Sequence, residues 1–272
     1  MSAGSPLPLA LIGFGAIGQA LAQELRGMDR VRLAQVIVPD LMVEATQALC
    51  AQLAPGARVR SALDLNQRPG LVAECAGHAA VQEHVLPALQ AGVPCVVGSI
   101  GALHDAALLA QLEAAALAGG AQVKLIAGAM GAIDALAAAK LGGLDEVVYT
   151  GRKPPLSWSG TPAEQLCELA GLKEPFVFFR GSARQAAQDY PKNANVAATL
   201  SLAGLGLDRT QVALIADPTV ARNVHQVTAR GAFGLLELRL ENLALAANPK
   251  TSALTVYSLA RAIRNAVDPI IF

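Results

Sequence analysis

Leu9-Ala10-Leu11-Ile12-Gly13-Phe14-Gly15-Ala16-Ile17-Gly18 is a short apolar run that breaks into a turn with three spaced glycines. Beyond it, Ile17, Leu21 and Leu25 recur every fourth residue, which is one face of a helix. The order is therefore strand, glycine turn, helix, the context in which G-x-G-x-x-G carries meaning. Gly13 permits the tight turn, Gly15 lets a ligand approach the backbone, and Gly18 lets helix and strand pack closely. The helix start adds unpaired N–H groups and a partial positive charge, which suit a pyrophosphate. Gly13, Phe14, Gly15, Ala16, Ile17 and Gly18 are thus expected to cradle a dinucleotide. The plain alternative is a structural turn in an α/β domain.

Outward from this turn the pattern repeats. A second apolar run, Val31 to Val38, ends at Pro39-Asp40 and leads into a helical stretch from Val43 to Leu53. Further runs follow at Arg58 to Ser61, Leu71 to Ala76, Cys95 to Val97 and Val123 to Ala127. Helical segments at Ala80 to Ala91 and Asp105 to Leu117 separate the later ones, with His104 or Asp105 as the cap. Short buried strands alternating with helices predict α/β architecture, an N-terminal Rossmann domain with a doubly wound parallel sheet over residues 1–128. Past Gly128 the rhythm changes. Helix Ile133 to Leu141 precedes strand candidates at Glu146 to Gly151, Phe176 to Ser182, Gln211 to Ala216, Asn223 to Arg230 and Leu235 to Glu241. A single convincing helix, Asn195 to Leu205, interrupts them, so a second α+β domain on a mixed sheet is expected over 129–248. Ser252 to Ala266 closes the chain as a helix.

The 272 residues suffice for two modest domains. Hydrophobic residues make up 53 %, yet Glu74, His78, Glu113, Lys124 and Asp134 break every stretch that could span a membrane. Arg26 is the first basic residue, so the charged start of a signal peptide is missing and a cytoplasmic protein is expected. The apolar surplus suggests a subunit interface. With 21 basic and 21 acidic residues and no basic block, nothing draws a nucleic acid. Cys50, Cys75, Cys95 and Cys167 are widely spaced, which predicts reduced thiols and no metal site.

The chemistry must come from a few polar clusters. An acid at the end of the second strand would hydrogen-bond the adenosine ribose; here Asp40 comes one or two residues late. Apart from Arg32 no basic residue lies between the start of that strand and Arg58, so NAD is favoured and NADP stays open. Ala76-Gly77-His78 follows the fourth strand, where the loop passes the cofactor; Ala76 and Gly77 are contact candidates, and His78 is a ribose contact or an ordinary helix start. His84 and His104 suit surface or capping positions. His225 ends the polar stretch Asp217 to His225 between apolar strands and suits acid–base chemistry, the alternative being a hydrogen-bonded strand histidine. In Asp189-Tyr190-Pro191-Lys192-Asn193-Ala194-Asn195, Asn195 is a natural helix cap, while Lys192 and Asn193 could hold a carboxylate.

These segments together resemble the L-aspartate dehydrogenase family. The likeness rests on Gly13 to Gly18, Val97 to Leu103, Gly128-Ala129-Met130-Gly131-Ala132, Pro191 to Ala198 and Asp217 to His225, in this order. It implies NAD(P)-dependent oxidation of L-aspartate to iminosuccinate, which hydrolyses to oxaloacetate and ammonia or feeds NAD biosynthesis. It also implies His225 as acid/base, Ala129 and Asn195 as cofactor contacts, and a homodimer whose C-terminal helix, within 249–272, returns to the nucleotide domain. Lys192, Asn193 and Arg222 then become candidates for the two carboxylates of a dicarboxylic amino acid. Val38 departs from the family, many of whose members carry an acid there. Two rivals stand beside this: a reductase of the dihydrodipicolinate or diaminopimelate type, and a non-catalytic NAD-binding redox sensor. The sensor has no use for the clusters at Pro191 to Asn195 and Asp217 to His225.

Overall fold

The computed structural model describes residues 5–191 and 195–271. They form two compact units, one of the described residues up to 126 with those from 255 onward, and the other of the described residues between 127 and 254.

The first unit runs β1 (Leu7–Ile12), α1 (Ala16–Leu25), β2 (Val31–Ile37), α2 (Val43–Leu53), β3 (Arg58–Arg60), β4 (Leu71–Glu74), α3 (His78–Ala80), α4 (Leu86–Gln90), β5 (Cys95–Val97), α5 (Ala106–Gly119) and β6 (Val123–Leu125). All six strands are parallel, in the order β3-β2-β1-β4-β5-β6. This is the doubly wound sheet expected from the alternating pattern. The register aligns the carboxyl ends in one row, since Arg60 faces Ile37, Ile37 faces Ile12, Ile12 faces Glu74, and Glu74 faces Val97. The loops after β1, β2, β4 and β5 therefore emerge along one edge, with the change of winding between β1 and β4.

Two helices carry local signatures. Asp105 caps α5, its carboxylate accepting from the N–H groups of Ala107 and Leu108, and Gly120 ends it in a left-handed conformation. The segment expected as one helix, Ala80 to Ala91, instead opens into a π-helical turn at Val81–Val85 between α3 and α4. Pro87 explains it: lacking an N–H and crowding the carbonyl four residues back, it breaks the regular ladder.

In the second unit, α6 (Ile133–Gly142) and β7 (Leu144–Lys153) lead through short 3-10 turns to β8 (Phe176–Ser182), α7 (Ala183–Asp189) and α8 (Asn195–Ala203). Strands β9 (Gln211–Ala216), β10 (Asn223–Gly231) and β11 (Gly234–Asn242) follow, then the small hairpin of β12 (Ala244–Leu245) and β13 (Asn248–Ser252). The five-stranded sheet has the order β11-β10-β7-β9-β8, with β7 and β9 parallel and the remaining pairs antiparallel. It is the mixed sheet of an α+β unit. The helix α7 was not anticipated. Its signal is Ser182 with Gln185, a capping box in which each side chain bonds the other's backbone N–H. Along β7 burial alternates: Val147, Tyr149, Gly151 and Lys153 are buried, while Val148, Thr150 and Arg152 are half-buried. The buried face meets the helices, because Gly204 at the end of α8 packs against Leu136 of α6 and Val147.

The last helix, α9 (Ala253–Arg264), belongs from Thr255 onward to the first unit. Val256, Leu259, Ala260 and Ile263 form its buried side. Just past it, Arg30 donates to the carbonyl of Val267 at 3.2 Å. Among the described residues no helix is long and apolar enough to cross a membrane.

Candidate active site

The three glycines of the first turn hold distinct positions. Gly13 has φ +92°, and a methyl there would lie 2.8 Å from Cα of Ala76, so both conformation and space demand glycine. A methyl on Gly18 would come within 2.4 Å of the Gly13 carbonyl oxygen, which lets α1 start directly against the turn. Gly15 is the opposite case. It is exposed, it occupies the N-cap of α1, and a methyl on it would meet nothing within 4 Å among the described residues. The turn is anchored by the Gly13 N–H donating to Ile37 and by Gln19 Nε2 donating to the Phe14 carbonyl. A pyrophosphate fits such a place: open space over a helix start with no side chain in the way.

Glu74, at the end of β4, was read only as a break in an apolar run, and it proves to be the centre of this edge. It is 0 % exposed. Its Oε1 accepts from the N–H groups of Ala76 at 2.8 Å and Gly77 at 2.9 Å, and from the Ser99 hydroxyl at 2.7 Å. Its Oε2 accepts from the Ser99 N–H at 2.9 Å. One buried carboxylate thus fixes the loops after β4 and β5 together, its charge spread over four donors. Burial and the Glu74 charge both push the Cys75 thiol far above its usual range, so it stays protonated beneath the turn. His78 and His104 lie 6.5 Å apart, and His104 Nδ1 bonds the Gly101 carbonyl. Among the described residues no group of three metal-binding side chains gathers.

At the end of β2, Val38 is buried, whereas Asp40 is exposed and opens a 3-10 turn. The parallel pairing adds a neighbour that spacing along the chain hides. Arg60 lies directly beside Ile37, accepts the Val38 N–H on its carbonyl, and pairs with Asp64 at 3.2 Å.

In the second unit His225 lies on the helix-facing side of the sheet, opposite Gly151 of β7 and Leu240 of β11. It is 3 % exposed, and its Nδ1 is 2.8 Å from the hydroxyl of Tyr149. Burial, and next the Lys153 ammonium, lower its pKa to about 3, so the imidazole is neutral. Lys153 is itself buried, with Nζ 4.9 Å from the ring centre of Trp158. Asp217 is buried beside it in the fold, accepting from Arg152 at 2.5 Å and from both the N–H and the hydroxyl of Thr219. This network shapes the loop that leads into β10. Tyr149 and Lys153 escaped the sequence reading because only strand pairing brings them to His225. Asp217, expected as the start of the polar stretch, gains its partner Arg152 through the pairing of β7 with β9.

The remaining candidates separate. Lys192 and Asn193 lie outside the described residues. Asn195 is exposed at the start of α8, and Arg222 is exposed in the loop before β10. Ala129 is buried, and its carbonyl accepts from Asn242 Nδ2 at 2.6 Å. Close by, Ala132 holds φ +58° at the N-cap of α6, a conformation costly for a residue with a Cβ.

Comparison with known proteins decides what these two units make. Residues 134–266 match the family model "Aspartate dehydrogenase, C-terminal", and residues 13–125 match "Homoserine dehydrogenase, NAD binding domain". An L-aspartate dehydrogenase of Cupriavidus necator is 57 % identical over 259 residues, covering 95 % of this chain and 97 % of its own. The chain belongs to the L-aspartate dehydrogenase family. A Pseudomonas aeruginosa L-aspartate dehydrogenase is likewise 57 % identical over 259 residues, with the same coverage. The crystal structure of aspartate dehydrogenase from Thermotoga maritima superposes with a TM-score of 0.77 at 27 % identity, covering 98 % of this chain and 99 % of its own. A member of the aspartate dehydrogenase family is an oxidoreductase, and its NAD-binding domain is the unit that carries the glycine turn.

Proposed function

We propose that the protein oxidises L-aspartate to iminosuccinate with NAD, and with NADP as a second cofactor, and runs the reverse reductive amination. Iminosuccinate then hydrolyses to oxaloacetate and ammonia. What carries the reading is His225, a neutral, buried imidazole in a chain that matches L-aspartate dehydrogenases almost end to end. When bound, the nicotinamide supplies the acceptor for the hydride that leaves the substrate α-carbon.

The residues of this chain do the rest. Gly13 to Gly18 and the start of α1 would hold the pyrophosphate, and Asp40 the ribose. Ala76 and Gly77, stiffened by Glu74, would line the cofactor, with Ala129 and Asn195 as further contacts. The α-carbon can release its hydride only after the α-ammonium has lost a proton, whose electron pair then forms the C=N bond, so a base must take that proton first. His225 is neutral, held so by burial and then by Lys153. The substrate carboxylates bound beside it would offset that charge and raise its basicity, letting it take the proton and return one in reductive amination. The two carboxylates need fixed cations and amide donors. Lys192, Asn193 and Arg222 remain proposed for them, and Lys153 joins them as the buried cation whose charge reaches His225. We also take the enzyme to be cytoplasmic and a homodimer; the exposed Phe233, Leu235 and Leu243 around β11 support the subunit interface.

His225→Ala and His225→Asn are expected to lower kcat for aspartate oxidation roughly 10²–10⁴-fold while the dissociation constant for NADH barely moves. Steady-state kinetics with thermal melting alongside measures this. A folded variant with near-normal turnover would remove His225 from the chemistry.

A further inference from the structure

We propose that Tyr149 is a positioning residue for this reaction: its phenolic oxygen engages Nδ1 of His225 and fixes the imidazole so that Nε2 is the atom that takes and returns the proton. The inference rests on the reading of His225 as acid/base and adds the identity of the working nitrogen and of the group that selects it.

Three observations carry it. Oη of Tyr149 lies 2.8 Å from Nδ1 of His225, and both side chains are buried. The two rings are within 14° of parallel, the orientation in which an edge-on hydroxyl meets the in-plane orbital of the nitrogen. The third is Gly151. It stands in mid-strand directly opposite His225 and two residues beyond Tyr149 on the same face. Glycine weakens a strand interior, and Gly151 is not among the glycines whose positive φ would call for it. Space calls for it instead, because a methyl at Gly151 would lie 2.8 Å from the Tyr149 oxygen and 3.2 Å from Cζ. The strand gives up a side chain at the one place where the phenol must pass to reach the imidazole.

A phenol does something at Nδ1 that a carboxylate would not. Burial raises the Tyr149 pKa far above its ordinary value, so the group is neutral and adds no charge that would hold His225 as imidazolium. With the proton on Nδ1, the phenolic oxygen accepts from Nδ1–H whether or not Nε2 is protonated. The same hydrogen bond then survives both halves of the cycle. Nε2 exchanges its proton without the ring turning over.

The test combines a spectrum of the protein alone with a mutant cycle. Imidazole 15N spectra of the wild-type enzyme should show neutral His225 protonated on Nδ1, and Tyr149→Phe should turn this into a mixture of tautomers. Gly151→Ala, which keeps the phenol but crowds its oxygen, should do the same. In steady-state kinetics Tyr149→Phe should lower kcat roughly tenfold, with KM for aspartate and NADH affinity little changed. Placed on His225→Ala, it should cost nothing more. A single Nδ1–H tautomer persisting in Tyr149→Phe, or an equal loss in both backgrounds, overturns the positioning role and leaves His225 standing. Full turnover in His225→Ala overturns the acid/base reading and this inference with it.

Discussion

Gly15 and Gly18 are three residues apart and make opposite demands on a side chain. At Gly15 a valine has room in the protein but would occupy the space over the start of α1, so Gly15→Val should fold and melt normally while losing NADH affinity by at least roughly tenfold. At Gly18 the same change would strike the Gly13 carbonyl oxygen and should lower the yield of folded protein. Fluorescence titration and thermal melting on both variants check the contrast. Unchanged NADH affinity in folded Gly15→Val would move the pyrophosphate elsewhere. The close packing at Gly18 was legible from the motif alone, because glycine spacing is local. Glu74 was not legible. A carboxylate inside Leu71 to Ala76 looks like an interruption until the loops after β4 and β5 are folded around it and supply its four donors. Tyr149 was hidden for the same reason, since 76 residues separate it from the histidine it touches.

At the scale of elements, strands that were short, apolar and flanked by turns could be read to within a residue or two, as at Cys95–Val97 and Gln211–Ala216. What went unread was lateral. Reading along the chain, the end of β2 has no basic residue near it, yet β3 sets Arg60 beside Ile37 at the edge where the adenosine ribose is proposed to lie. A guanidinium at that edge would favour a 2′-phosphate, in competition with its ion pair to Asp64. Arg60→Ala should therefore weaken NADP binding roughly tenfold relative to NAD, measured as the ratio of dissociation constants for the reduced cofactors. An unaltered ratio would mean that β3 takes no part in cofactor choice. The helix α7 was missed because seven residues give too short a period to recognise, and its capping box is the better signal.

For the molecule as a whole, His225 links stability to pH. Its pKa falls from an ordinary 6.5 to about 3 on folding, so between these values the unfolded chain binds a proton that the folded chain refuses. The sign follows: this contribution is complete above about pH 6.5 and is lost as the pH drops towards 3, by up to about 1.4 kcal/mol per pH unit. Urea unfolding at pH 7 and pH 5 should show the wild type losing more stability than His225→Asn over that interval. Parallel losses in the two proteins would mean that His225 is not held neutral by burial. The division into a dinucleotide-binding part and an α+β part could be anticipated from the change in strand rhythm near Gly128. The fine structure of the second unit could not, because a mixed sheet leaves its strand order unwritten in the chain.

The return of α9 to the first unit bears on how the protein is made. A ribosome delivers the glycine turn first and the buried face of α9 last, with the whole second unit between them. The nucleotide-binding unit, although it begins the chain, is therefore the one that must wait. Until α9 has been made, the surface that it will cover stays bare, while residues 127–254 already have every strand of their own sheet. Assembly from the N-terminus onward is common for multidomain chains. On this chain that order is expected to reverse: a product cut before α9 would hold every strand of its second sheet while the first unit still lacked its last helix.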